Sequence, residues 1–383
     1  MFYLLLLFCE KIKAKESGDC KRILTDVSLC DFQITEWFNF KYDLLKGSEY
    51  SSDHAWTSED CYDEGSRGNL RTSEQIKFCK KYKHMMPLLT KSIKQIKDEC
   101  QETFADRRWN CNRINRIRHG NIPVELEKDT RESAFVHALS SASLAFRYAE
   151  WCFQNRDCSC GRRGVEWNRR YPKTRINFHP CTNYLQKGME FSKDFAQASY
   201  KREYISSEKM KKRIKVILHN HEIGRQVIHQ NQIIRCICAG HSTSCQRSIC
   251  YRINPYFKDV TKDLFLRYKL AKKLPNYDGK TIRNVALGDQ HSISSQGQVT
   301  PLYYLEESPN YCDGDSKLGI NGTTGRHCVQ NNTRIDDCKL MCCGRGFHVH
   351  VYTKSIKCNC KFVYCCRLVC QKCNKIQTDF ICK

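Results

Sequence analysis

The chain has 383 residues, of which 40% are hydrophobic and 11% aromatic, too apolar for a disordered chain and long enough for two or three packed domains. Its 27 cysteines exclude an ordinary cytosolic protein, whose thiols would be kept reduced. A formal charge of +23 points, outside the cell, to heparan sulfate or an acidic cell surface instead of nucleic acid.

The cysteine spacing separates disulfides from metal ligands. Close pairs are C-x-C (Cys158/Cys160, Cys236/Cys238, Cys358/Cys360) or C-C (Cys342/Cys343, Cys365/Cys366). The C-x₂-C pair Cys370/Cys373 has no second pair at finger spacing, so zinc is set aside. Disulfides imply the secretory pathway.

In chain order, Phe2–Phe8 is a short apolar run that serves as a signal core, with cleavage expected after Ala14. No stretch is apolar for 18 residues, so no transmembrane helix is expected. Residues 15–70 form a polar extension carrying Cys20, Cys30 and Cys61. From Ile76 to Cys100 apolar residues fall at steps of three and four, an amphipathic helix bent or restarted at Pro87. A second helix starts near Asp129, where Asp129 and Glu132 fit a capping box, and its many small residues predict close helix packing. Helical patterns recur at 184–200, at 207–229 and after Pro255. Two basic stretches, Lys209–Lys215 and Arg162–Arg175, read equally as solvated faces or glycan sites. His219 and His221, with no third ligand nearby in sequence, read as helix-surface residues. Residues 275–300 are a Gly/Asn/Ser/Gln-rich linker. After a strand-like run at 301–305, residues 312–383 hold 12 cysteines, as in a small domain held by bridges. The expected class is α+β: a helical domain (71–274) carrying a disulfide-bonded hairpin, then a disulfide-rich β-hairpin domain (301–383).

The hairpin at Ile233–Ile253 is the most informative stretch. Cys236 with Cys250 and Cys238 with Cys245 nest naturally, which would hold residues 239–244 out as a rigid tip. Ser242 lies in that tip among Gly240, His241, Thr243 and Ser244. By spacing alone it is a solvated turn serine. A nucleophile elbow would need a strand-to-helix turn and a final glycine that is missing.

This stretch resembles the hairpin of the Wnt family, and other segments are similar to that family's motifs. They include Cys100-Gln-Glu-Thr-Phe-Ala-Asp-Arg-Arg-Trp-Asn-Cys111, Thr130-Arg-Glu-Ser-Ala-Phe-Val136 and His219-Asn-His-Glu-Ile-Gly-Arg225. Ser308-Pro-Asn-Tyr-Cys312, Gly325-Arg-His-Cys328, Leu340-Met-Cys-Cys-Gly-Arg-Gly346 and Cys358-Asn-Cys-Lys-Phe362 follow in family order. The resemblance runs from about Ile76 to Lys383. It implies a secreted signalling ligand that is not an enzyme and needs no cofactor. A Porcupine-type acyltransferase would place a monounsaturated acyl chain on Ser242. The acylated tip (Gly240, His241, Ser242, Thr243) would enter a groove on a Frizzled cysteine-rich domain. A second contact would come from Phe362, Val363, Tyr364, Cys365 and Cys366. Further implied partners are a lipoprotein-receptor-related co-receptor, a lipid-carrying secretion factor and heparan sulfate.

The resemblance also implies disulfides Cys100–Cys111, Cys152–Cys158 and Cys160–Cys181 in the helical domain. In the C-terminal domain it implies Cys312–Cys343, Cys328–Cys338, Cys342–Cys382, Cys358–Cys373, Cys360–Cys370 and the vicinal Cys365–Cys366, though spacing leaves the last pair free to bond elsewhere. Cys9 would leave with the signal peptide, and Cys20, Cys30, Cys61 and Cys79 are left to pair among themselves. Asn321 and Asn331 head glycosylation sequons. The tip departs from the family pattern at Ile237, Ala239, His241 and Thr243, and Tyr251 stands where Trp is common. Two other readings follow: a serine hydrolase using Ser242, and a non-acylated, heparan-binding relative.

Overall fold

A computed structural model describes residues 73–111, 128–155, 184–200, 208–238, 248–274, 300–315, 320–330, 336–364 and 367–383, with Ser58, Cys61 and short strands at 117–118, 122–123, 165–167 and 175–178. The signal run, nearly all of the extension and residues 275–299 lie outside the described residues. The chain folds as two compact units. One takes residues through Cys100 and Arg113–Ser308, and the other takes Gln101–Asn112 and Pro309–Lys383.

In the first unit, α1 (Ser73–Lys81) leads through a 3₁₀ turn (Lys83–Met85) into α2 (Met86–Thr103). Pro87 sits in the first turn of α2, where its missing N–H costs nothing. Cys79 is bonded to Cys61. Helix α3 (Arg131–Asn155) is the centre of the core. Phe135, Val136, Ala138, Leu139, Ala142 and Ala145 are fully buried, and so are Ser140 and Ser143. A helix covered on every side shows no single apolar face. Its small residues admit neighbours closely. A side chain at Gly188 of α4 (Tyr184–Tyr200) would overlap the carbonyl of Ala145, and one at Gly224 of α5 (Glu208–Gln230) that of Ala138. Buried hydroxyls bridge the helices, Ser141 Oγ to Ser192 Oγ at 3.2 Å and Ser92 Oγ to Ser143 Oγ at 2.9 Å.

The structure differs from the sequence expectation at two places in the helices. The Asp129/Glu132 capping box does not form, because the cap is Thr130, whose Oγ1 accepts from the Ser133 N–H at 3.3 Å. Both carboxylates go to tertiary partners instead. Asp129 takes Arg213 Nε at 2.9 Å, and Glu132 accepts from the Tyr268 hydroxyl at 2.9 Å and from Ser308 Oγ at 2.5 Å. His219 and His221 are not surface residues, since each is about 1% exposed. Residues i and i+2 point to nearly opposite sides of a helix, and α5 is covered on both. His219 Nε2 lies 3.1 Å from the Pro301 carbonyl, while His221 packs against His137 of α3 and Tyr200 of α4.

The strand-like run at 301–305 belongs to the helical unit, not to the cysteine-rich domain as its sequence position suggests. Strand β8 (Tyr303–Tyr304) pairs in parallel with β7 (Lys272–Lys273), just after α6 (Phe257–Lys269). Asn220 fixes it from the core: Nδ2 donates to the Tyr303 carbonyl at 2.9 Å and Oδ1 accepts the Tyr303 N–H at 3.0 Å. The short pair β1 (Ile117–Arg118) and β2 (Ile122–Pro123) is antiparallel. Strands β3 (Val165–Trp167), β4 (Arg175–Phe178), β5 (Ile233–Cys238) and β6 (Ser248–Ile253) form a sheet in the order β3-β4-β6-β5, with β5 on the edge.

The second unit has a very small core: Cys328, Cys338, Met341, Cys342 and Cys382, flanked by Phe347 and Phe380. Disulfides Cys312–Cys343, Cys328–Cys338 and Cys342–Cys382 supply the cohesion that so little apolar burial cannot. Short strands β9 (Gly314–Asp315) and β10 (Ile320–Asn321) pair, as do β11 (His327–Cys328) and the long ribbon described below, next to the turn of helix α7 (Cys338–Met341). Half-buried arginines close the loops by binding carbonyls. Arg326 reaches those of Arg107, Arg108 and Ala105, and Arg345 Nη1 donates to that of Cys312 at 2.9 Å. Arg108 Nε donates to the Leu340 carbonyl at 2.9 Å, and Phe104 meets Trp109 edge-on at 4.6 Å between centroids.

Candidate functional site

The sequence singles out two segments, and each adjoins a described hairpin. In the helical unit, β5 and β6 pair from Ile233↔Ile253 to Cys238↔Ser248, and Cys236 is bonded to Cys250 directly across the ladder. The bridge is buried on the Cys250 side and locks the register of the hairpin base. Gly240, His241, Ser242, Thr243 and the expected Cys238–Cys245 bridge lie outside the described residues.

In the cysteine-rich unit, β12 (Phe347–Val363) and β13 (Arg367–Cys382) form a two-stranded ribbon. An isolated two-stranded ribbon is marginal in water. This one is stapled near its far end by Cys358–Cys373 and Cys360–Cys370, which flank a bulge between Cys358 and Lys361. Asn359 takes φ +46° there, a left-handed conformation that Asn tolerates better than most residues. Beyond the staples the ladder ends with Phe362↔Leu368 and Val363↔Arg367. Phe362 is 71% exposed, Tyr364 97% and Leu368 64%. Apolar side chains left exposed on a braced ribbon are the kind of patch that marks an interaction surface. Cys365 and Cys366 lie outside the described residues. Leu368 is not marked by any sequence motif, and its signal is the ladder position opposite Phe362.

The remaining motifs are scaffolding. Along His219–Arg225, Asn220 clamps Tyr303, Ile223 is fully buried, Gly224 lets α3 approach, and Arg225 holds Glu222 and Ser141. Burial drives His219 down from 6.5 to about 4, and His221 well below its ordinary value. Asn321 is exposed on β10, while the Thr323 of its sequon is buried and accepts from Arg345 Nη2. Asn331 lies outside the described residues, as do Cys158, Cys160 and Cys181. Cys100, Cys111 and Cys152 are each disulfide-bonded. The sulfurs of Cys328, Cys342 and Cys382 lie within 4.8 Å of one another, but each is already in a disulfide and offers no thiolate to a metal. Among the described residues no helix is long and apolar enough to cross a membrane.

The chain thus combines a helical unit carrying a disulfide-tied hairpin with a bridge-held unit whose long ribbon leaves Phe362, Tyr364 and Leu368 exposed. Comparison with known proteins is in agreement. Residues 68–383 match the wnt family. The chain is 32% identical to Protein Wnt-1 of Caenorhabditis elegans, over 81% of this chain and 87% of the relative. It is 33% identical to Protein Wnt-11b-1 of Xenopus tropicalis and 32% identical to Protein Wnt-3a of Mus musculus, in each case over 81% of this chain and 86% of the relative. It is also similar to the solved structure of human WLS in complex with WNT8A, with a TM-score of 0.55 and 27% identity, over 79% of this chain and 95% of that one. The chain belongs to the Wnt family, whose members are secreted signalling ligands.

Proposed function

We propose that this ligand acts by gripping the cysteine-rich domain of a Frizzled receptor at two points, the acylated hairpin at Ser242 and the ribbon tip around Phe362–Cys366. The observation that carries this reading is the ribbon tip, where Phe362, Val363, Tyr364 and Leu368 stand exposed just beyond two disulfides. Burying a large apolar side chain contributes about 1.5–3 kcal/mol, and a braced tip loses little conformational entropy when it docks. The acyl chain on Ser242 adds about 0.8 kcal/mol for each buried CH₂, so lipid and tip together account for a tight complex. A Porcupine-type acyltransferase attaches the chain. A lipid-carrying secretion factor, of which WLS in the WNT8A complex is an example, carries the protein outward. A lipoprotein-receptor-related co-receptor and heparan sulfate complete the set of partners.

The test is the intact mass of the disulfide-linked hairpin peptide, together with binding of the secreted chain to a Frizzled cysteine-rich domain. A long monounsaturated acyl group on Ser242, with binding weakened by Ser242→Ala and by Phe362→Ala, is the expected outcome. One feature favours a second reading. The altered tip residues Ala239, His241 and Thr243 suit a non-acylated, heparan-binding relative, and an unmodified Ser242 in fully secreted protein would select it.

A further inference from the structure

Three histidines and an aspartate share the solvent face at the base of the β12–β13 ribbon. The sheet there runs in the order β11-β13-β12. Residues directly opposite one another in an antiparallel ladder lie on one face, and successive residues alternate faces. Cys328↔Phe380↔Val349 and Cys382↔Phe347 therefore share a face, and Cys328, Cys382, Phe347 and Phe380 belong to the small core or pack on it. The opposite face carries His327↔Ile381↔His348 in one row and Asp379↔His350 in the next. All three histidines are exposed, and Ile381 and Asp379 are half-buried. The chain has 13 histidines in 383 residues, so finding three at these five neighbouring positions is a concentration that strand propensity does not explain.

The chemistry of the set is that of a metal site. His348 and His350 stand two apart on one strand and so project side by side, about 7 Å apart. Asp379 faces His350 with about 5 Å between Cβ atoms. His327 comes from the far strand, about 10 Å from β12. Asp379 is already oriented, since its Oδ2 accepts from the Tyr352 hydroxyl at 2.9 Å and its Oδ1 from Gln377 Nε2 at 3.1 Å. Outer hydrogen bonds of this kind hold a ligating carboxylate in place. Imidazole nitrogens with one carboxylate suit zinc or copper(II), whereas calcium and magnesium take oxygen ligands. Among the described residues, the donor atoms gathered within 4.8 Å of one another are those of the disulfide-bonded Cys328, Cys342 and Cys382. An ion therefore binds the histidine face by turning imidazoles inward, a rotation that exposed side chains make within nanoseconds.

We propose that His348, His350 and Asp379, with His327 as the fourth ligand, bind one zinc or copper(II) ion at the base of the ribbon. The ion ties β12, β13 and β11 together on the face opposite the disulfide core. It stiffens the base of the ribbon as Cys358–Cys373 and Cys360–Cys370 stiffen its far end. The site is independent of Ser242 and of the receptor contacts proposed above.

The test is isothermal titration calorimetry of the full-length secreted protein, without an affinity tag and cleared of metal by chelation, against zinc chloride and separately against copper(II) chloride. Expected is one saturable equivalent of at least one of the two ions. Tyr352→Phe, which frees Asp379 without touching the ion, should weaken binding by about ten-fold. His348→Gln with His350→Gln removes two ligands and should cost more than the hundred-fold that marks the upper end for outer-shell changes. Histidine labelling by diethyl pyrocarbonate, read by peptide mass, needs no variant. The bound ion should protect His327, His348 and His350 while the exposed His84 stays reactive. Absence of saturable binding by either ion overturns the site. So does binding that survives the glutamine pair, or labelling of the three histidines that the ion leaves unchanged.

Discussion

Acid should destabilise the helical unit through the two histidines buried in α5. His219 is held near the Pro301 carbonyl and the Tyr303 ring, with Glu222 as the charged group nearby. His221 faces His137 on α3 and Tyr200 on α4, with Arg225 one turn on, and neither of its ring nitrogens has a hydrogen-bond partner among the described residues. The sign follows from the depressed folded values. Once unfolded, each imidazole takes a proton below pH 6.5, whereas folded His219 takes one only near 4. Stability is therefore complete above 6.5 and is lost as the pH falls from there toward 4, at up to about 1.4 kcal/mol per pH unit for each histidine. At pH 5 His219 alone removes about 2 kcal/mol, and His221 acts in the same direction. Asp129, whose folded value is raised by burial, acts in the opposite one. Urea unfolding with intact disulfides, followed by far-ultraviolet circular dichroism at several pH values from 7.5 to 5.0, measures the loss. His221→Phe should flatten the dependence. A midpoint that stays constant or rises between pH 7 and 5 would refute the reasoning.

Three further outcomes can be checked independently. Asn220→Ala leaves the buried N–H and C=O of Tyr303 without their partner, costing about 2–4 kcal/mol, and amide exchange at Tyr303 should accelerate well before that of the α3 core. Gly224→Ala should destabilise by about 1–3 kcal/mol although alanine is the better helix former by ~1 kcal/mol, since its side chain meets the Ala138 backbone. A rise in thermal midpoint would contradict that packing. Phe362→Ala and Leu368→Ala, both on the exposed tip, should leave the thermal midpoint unchanged while weakening Frizzled-domain binding by about ten- to a hundred-fold each, as read by biolayer interferometry.

Much of the helical unit is legible in the sequence because long amphipathic segments carry their period in the chain. The patterns at 184–200 and 207–229 correspond to α4 (Tyr184–Tyr200) and α5 (Glu208–Gln230). Gly188 and Gly224 show why α3 is rich in small residues, since its neighbours come close enough to touch backbone. The start of α3 differs by one residue from the sequence expectation. Thr130 caps it, and the carboxylates that resemble a capping box are drawn away by Arg213, Tyr268 and Ser308, all distant in sequence. Near the ribbon end, motif resemblance draws attention to Phe362, whereas the exposed Leu368 opposite it emerges only from the ladder register.

The sequence by itself determined that the chain is bridge-held and that it mixes helices with strands. Those properties follow from residue type and spacing along the chain. Only the tertiary structure decided which polar groups are buried. His219 and His221 sit on a helix covered from both sides, and the run at 301–305 joins the helical unit because Asn220 offers it a donor and an acceptor. The physical reason is that burial and hydrogen-bond satisfaction depend on what arrives from elsewhere in the chain, and no local pattern encodes that.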